Sequence, residues 1–165
     1  MRCCFESVKT SRYAEGVTEI ASAVGDAAAA LALRHAGLRV TESRAAVYEA
    51  LAARPHASAD AVFASIAHRM PRTSRQSVYN ALSDFADAGL VRRIEPAGRP
   101  MLFELRVDDN HHHLVCIQCG EVEDVECVVG HAPCLTPSDS HGYRLQAAEV
   151  TFWGTCPACA EGTRP

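Results

Sequence analysis

Residues 74–105 read SRQSVYNALSDFADAGLVRRIEPAGRPMLFEL, and the order of signals inside this stretch decides the fold. Ser74 is a good N-cap, and Val78, Leu82, Phe85 and Ala86 follow at the spacing of a helix with one apolar face. Gly89 supplies the stop, which predicts a helix over 75–88. Two short strand-like runs, 90–95 and 101–105, then flank Pro96-Ala97-Gly98-Arg99-Pro100, whose proline and glycine content marks a hairpin turn.

Upstream the same punctuation recurs. Thr41 caps a run carrying Ala45, Val47, Tyr48 and Leu51 that Pro55 ends, predicting a helix over 42–53. Ser58 opens another, with Ala61, Val62, Ile66 and Ala67 as its stripe and Met70-Pro71 as its end, predicting 59–69. An Ala/Leu-rich first helix is expected from Val17 to Ala36, stopped by Gly37. Helices followed by a hairpin give the winged helix-turn-helix order. From 111 onward, HLVCI, EVEDVE and YRLQAAEVTFW favour strands, separated by the Pro- and Gly-bearing VVGHAPCLTPSDSHG. The expected class is α+β: a flexible leader at 1–16, a winged-helix domain at 17–106, and a small α/β domain at 107–165.

The chain has 165 residues, 48% of them hydrophobic and 22% charged, an ordinary globular composition. No run approaches the roughly 18 apolar residues of a membrane span, and the first residues lack a signal-peptide core, so a cytoplasmic protein without membrane association is expected. The net charge of −4 is unevenly spread. Residues 34–99 carry ten Arg against six Asp/Glu, whereas residues 100–165 carry three Arg against ten. A basic half suited to phosphate thus precedes an acidic half suited to metal or a protein partner.

Three constellations carry chemistry. Cys116-Ile117-Gln118-Cys119 and Cys156-Pro157-Ala158-Cys159 are two C-x-x-C knuckles, each able to aim two thiolates at one tetrahedral zinc. Four thiolates close such a site, so its role is structural; two independent redox pairs are the alternative. The 36 residues between the knuckles mean that zinc ties the domain's first strand to a segment much further along the chain. Next, strand alternation sends His111 and His113 to one face and His112 to the other. Glu104 and Asp124, on strands expected to pair with this region, and His56 from the basic half are candidates to complete a nitrogen and oxygen set for Fe(II), Mn(II) or Zn(II). Third, Ser74, Arg75, Gln76, Tyr79 and Asn80 lie where a recognition helix meets bases and phosphates, and Arg39 and Arg44 flank the start of the helix at 42–53. Cys127 and Cys134 straddle a short loop and are candidates for a thiol switch; no role follows for Cys3-Cys4.

From about Leu33 to Cys159, through GLRVTESR, SRQSVYNAL, AGLVRRIEPAG, FEL, HHHLVCIQCG and WGTCPAC, the chain resembles the ferric uptake regulator (Fur) family, in particular its actinobacterial peroxide-responsive regulators of catalase-peroxidase. The resemblance implies a homodimeric repressor without enzymatic activity or a small-molecule substrate, binding an inverted-repeat operator. It implies structural Zn2+ at Cys116, Cys119, Cys156 and Cys159. It also implies a regulatory Fe2+ or Mn2+ site at His56, Glu104, His111, His113 and Asp124 that bridges the two domains. Tyr79 and Asn80 match base-contacting positions, and Arg39 a minor-groove residue. The sequence departs from the pattern in carrying Asn80 where many members have Arg, which removes a bidentate guanine contact. It also carries Glu104 where model peroxide sensors have Asp, and Ala148 where some relatives have a histidine. Repression relieved by peroxide, repression of metal uptake by iron, and a thiol switch through Cys127 and Cys134 are the regulatory readings carried forward. A zinc hydrolase or deaminase is the rival class, and neither H-E-x-x-H nor H-x-E with P-C-x-x-C occurs.

Overall fold

The helix that carries the SRQSVYNAL segment is bounded as its ends dictate. In the computed structural model, which describes residues 27–107, 111–126, 139–144 and 150–164, it runs Arg75–Asp87 (α4). The Ser74 hydroxyl accepts from the Ser77 N–H at 3.1 Å, satisfying one of the donors a helix start leaves open. At the other end Gly89 takes φ +69°, and the Leu90 and Gly89 N–H groups donate back to Phe85 and Ala86 carbonyls at 2.8 and 3.1 Å, a Schellman closure. Gly37 ends the first helix (α1, residues 27–35) with the same pair of bonds, to Leu33 and Arg34. Its expected first part, 17–26, lies outside the described residues.

Helix α2 is Glu42–Ala53, capped by Thr41, and α3 is Ala59–Ile66, capped by Ser58. The sequence extends α3 to 69, but after Ile66 the chain tightens: both Arg69 and Met70 N–H groups donate to the single Ile66 carbonyl. A bond from i+3 competes there with the helical one from i+4. Strands β2 (Arg92–Ile94) and β3 (Leu102–Glu104) form the hairpin. A two-residue strand, β1 (Ala57–Ser58), was not foreseen and pairs antiparallel with β3, giving the order β1-β3-β2. Leu33, Val47, Leu51, Val62, Ile66, Val78, Leu82, Phe85 and Phe103 make the core of this first unit.

The second unit contains residues 95–100, at the hairpin turn, and the chain from 108 onward. Its sheet has the order β5-β4-β6, from β4 (His111–Cys116), β5 (Val122–Glu126) and β6 (Thr151–Gly154), followed by the short α5 (Pro157–Ala160). β5 is antiparallel to β4, and β6 is parallel to it. Glu104 therefore does not lie on a strand that pairs with the histidine segment, as the sequence suggests. Its strand belongs to the winged-helix sheet, because the hairpin closes β3 onto β2.

Candidate metal centres and recognition helix

Parallel pairing explains how knuckles 36 residues apart converge. The β4/β6 register sets Cys116 opposite Gly154, so Cys156 arrives two residues later beside the first knuckle. The Ile117 N–H donates to the Gly154 carbonyl at 2.8 Å, and the Cys156 N–H donates to the Cys116 sulfur at 3.3 Å. Gly120, at φ +77°, turns the chain back so that the Cys116 N–H can donate to the Glu121 carbonyl. The four Sγ atoms of Cys116, Cys119, Cys156 and Cys159 lie within 4.8 Å of one another, with Cys119 and Cys156 at 3.8 Å. Tetrahedral zinc with Zn–S bonds of about 2.3 Å sets neighbouring sulfurs about 3.8 Å apart, so the cluster fits that ion. N–H groups of Cys119 and then Cys156 bring the Cys116 thiol down to about 5, in favour of the thiolate. Burial, and then the neighbouring sulfurs of Cys156, Cys119 and Cys116, push Cys159 up to about 12.

The histidine and carboxylate candidates form two groups, one in each unit. In the first unit, the β1/β3 register pairs Ala57 with Phe103, and one step further along the same ladder His56 meets Glu104. His56 Nε2 lies 3.1 Å from Glu104 Oε2, and Glu104 is only 1% exposed. His56 takes φ +55°, a left-handed conformation that costs a non-glycine residue roughly 1–3 kcal/mol and concentrates at functional positions. Arg92, opposite Glu104 on β2, has Nη1 3.6 Å from Oε1 and so offsets the buried charge.

In the second unit, His111 and His113 are both buried on one face of β4, with their Nε2 atoms 3.2 Å apart. Asp124 faces His113 across β4/β5, and its Oδ1 lies 3.6 Å from His113 Nε2 and 3.8 Å from His111 Nε2. Two nitrogens and a carboxylate oxygen thus converge on one side of the sheet. His112 points the other way, edge-on to Phe152.

On α4, Ser74, Arg75, Gln76, Tyr79 and Asn80 are all exposed, opposite the buried Val78, Ala81, Leu82 and Phe85. Gln76 donates to Asn80 Oδ1 at 2.9 Å, joining two amide side chains one helical turn apart. Arg75 is ion-paired with Asp60 and stacks over Phe63, while Arg44 pairs with Asp84 and donates to the Arg39 carbonyl at 3.1 Å. Three arginines gave no sequence signal because their partners are distant in the chain: Arg92 on Glu104, Arg99 on the knuckle turn, and Arg164 on Glu121. Cys3, Cys4, Cys127, Cys134 and Ala148 lie outside the described residues.

Residues 35–152 match the ferric uptake regulator family. The chain belongs to that family. It is 52% identical over 128 residues to the transcriptional regulator FurA of Mycobacterium tuberculosis, covering 78% of this chain and 87% of that one. Among solved structures, the Vibrio cholerae ferric uptake regulator superposes with a TM-score of 0.58 at 29% identity, over 77% of this chain and 98% of its own. The Pseudomonas aeruginosa ferric uptake regulator with manganese gives 0.55 at 27%, over 76% and 95%. The protein is accordingly a metal-responsive transcription regulator of α+β class, with a winged-helix DNA-binding domain and a dimerisation domain, and not an enzyme. Among the described residues no helix is long and apolar enough to cross a membrane.

Proposed function

We propose that the protein is a cytoplasmic, homodimeric repressor that binds an inverted-repeat operator when its regulatory site holds Fe(II) or Mn(II), and that peroxide relieves repression, with catalase-peroxidase and other oxidative-stress genes as targets. The observation that carries this reading is the buried pair His111 and His113 with the half-buried Asp124 beside them, whose donor types suit Fe(II) and Mn(II). His56 and Glu104 supply the remaining ligands from the winged-helix unit, which links occupancy to the position of α4. The strained His56 backbone accords with a residue held for ligation. His111 and His113 would hold Fe(II) where it could give one electron to peroxide and be oxidised to Fe(III). Cys116, Cys119, Cys156 and Cys159 hold structural Zn2+ and keep the dimerisation unit folded. Tyr79 and Asn80 read base edges with Ser74 and Gln76 beside them, and Arg39, Arg44 and Arg75 supply the phosphate and minor-groove charge.

The test is operator binding by fluorescence anisotropy at fixed salt, using zinc-loaded protein with Fe(II) or Mn(II) and then peroxide. Both metals are expected to promote binding, and peroxide to abolish it only with Fe(II). Binding that both metals promote and peroxide leaves intact favours the iron-responsive repressor of metal uptake, with Glu104 in place of Asp as the reason. Binding indifferent to either metal overturns the regulatory site, and loss reversed by a thiol reductant points to Cys127 and Cys134 instead.

A further inference from the structure

The loop from Cys116 to Gly120 is gripped on two sides by arginines. On one side Arg99, at the hairpin turn, donates through Nη2 to the Ile117 and Gln118 carbonyls, both at 3.0 Å. Gly120 leaves room for it: a Cβ there would sit 2.9 Å from Arg99 Nη1. On the other side Arg164 donates through Nη1 to the Cys119 sulfur at 3.3 Å and is ion-paired with Glu121 through the same nitrogen, with Nη2 3.4 Å from the second Glu121 oxygen. Arg99 fixes the backbone of the turn, whereas Arg164 places a positive charge against the Cys119 sulfur. The segment carrying Arg164 is positioned by its own turn, in which the Thr163 N–H and hydroxyl both donate to the Ala158 carbonyl. Arg164 lies beyond the residues that match the family.

We infer that Arg164 is a positioning residue for the zinc site, holding the Cys119 thiolate toward the ion and offsetting the net negative charge that four thiolates leave on a divalent cation. Glu121 anchors the guanidinium and sets its approach to the sulfur. A cation donating to a ligand sulfur lowers the repulsion among the thiolates and so slows departure of the metal. Partners of this kind in the shell outside the ligands typically change metal affinity by about 10–100-fold when removed. This inference rests on the structural zinc reading proposed above.

The experiment follows release of zinc from full-length dimer to an excess of chromogenic chelator, with zinc content measured beforehand and folding checked by circular dichroism. Arg164→Gln is expected to release zinc about 10–100-fold faster than the parent at unchanged secondary structure. Arg164→Lys, which keeps a charge and donors, is expected to restore most of the retention. Arg99→Gln serves as the second variant, because it loosens the turn without altering charge at the sulfur, and its release rate is expected to respond to added salt as that of the parent does, whereas that of Arg164→Gln responds less. Arg164→Gln releasing zinc at the parental rate overturns the inference, as does Arg164→Lys releasing it as fast as Arg164→Gln. Parent protein that carries no zinc overturns the zinc reading itself, a result distinguishable before any variant is compared.

Discussion

The cysteine cluster and the histidine-carboxylate groups differ first in how the chain assembles them. All four sulfurs belong to one unit, where one parallel strand pair and one turn bring them together. The oxygen and nitrogen candidates are split: His56 and Glu104 meet through β1/β3 in the winged-helix unit, and His111, His113 and Asp124 meet through β4/β5 in the other. A set complete within one unit can hold that unit together but has little leverage over anything else. A set divided between units is suited to the opposite task, because binding then favours one arrangement of the two over others. The difference supports the proposed reading, in which the cysteine cluster is structural and the histidine-carboxylate groups are responsive.

The most forceful way to break that contrast is to remove one sulfur. Cys116→Ser is expected to abolish zinc retention, dissociate the dimer and leave the second unit only marginally folded, since much of the binding energy at a structural zinc site is folding energy, about 10–16 kcal/mol in small zinc peptides. Circular dichroism and sedimentation velocity check it. A folded, zinc-free dimer would show that the sheet stands without the metal. His113→Ala attacks the other group and is expected to leave zinc content and dimer intact while removing the metal-dependent part of operator affinity. For a ligand favouring the DNA-competent form by ~3 kcal/mol that part amounts to about two orders of magnitude. Anisotropy titrations with and without Mn(II) measure it, and unchanged metal dependence would remove His113 from the sensor.

How far each group was legible in the sequence follows from the same contrast. The knuckles declare themselves because a C-x-x-C spacing is local, and α2 and α4 do so through Thr41, Ser74 and Gly89, whose caps act within a few residues. The face shared by His111 and His113 was also readable, because strand alternation needs no tertiary partner. What the residues by themselves did not show is how Glu104 is placed. It is positioned by β1, two residues long and without a strand-like run of its own, and that strand exists because the chain between α2 and α3 pairs with the wing. Arg44 and Arg75 read as free basic residues, yet Asp84 and Asp60, which engage them, are 40 and 15 residues away. Pairings of that kind are set by packing and leave no mark on local pattern.

Acid and base sharpen the view of the cysteine cluster on its own. In zinc-free, reduced protein Cys116 has its value lowered from 9.0 to about 5, so its contribution is fully present above the unfolded value and is lost as pH falls through the folded one. Cys159 is raised from 9.0 to about 12, so its contribution is present below the unfolded value and is lost as pH rises toward 12. The two trends meet, and the melting temperature of zinc-free second-unit structure is expected to climb between pH 5 and 9 and to fall above it. Melts of chelator-treated protein across that range test this, and a monotonic profile would contradict it.

The smallest effect expected is at Gly120, which tests the turn rather than the thiols. Gly120→Ala places a methyl in a left-handed backbone, costing a non-glycine residue about 1–2 kcal/mol, and sets it 2.9 Å from Arg99 Nη1. The arginine is long enough to move, so the strain lies in the backbone and not in a clash. Zinc binding offsets it, because the ion draws Cys116 and Cys119 to positions that require the same turn. The variant is therefore expected to fold and keep its zinc, with a second-unit melt lowered by a few degrees when loaded and more when stripped. Equal lowering in both states would mean that the ion does not enforce this turn. The histidine group lies further along the same hairpin, with His113 opposite Asp124, and reads how far the strain at the turn travels: Mn(II)-dependent operator affinity of the loaded variant should match that of the parent, and a loss there would show that the two sites are not separable.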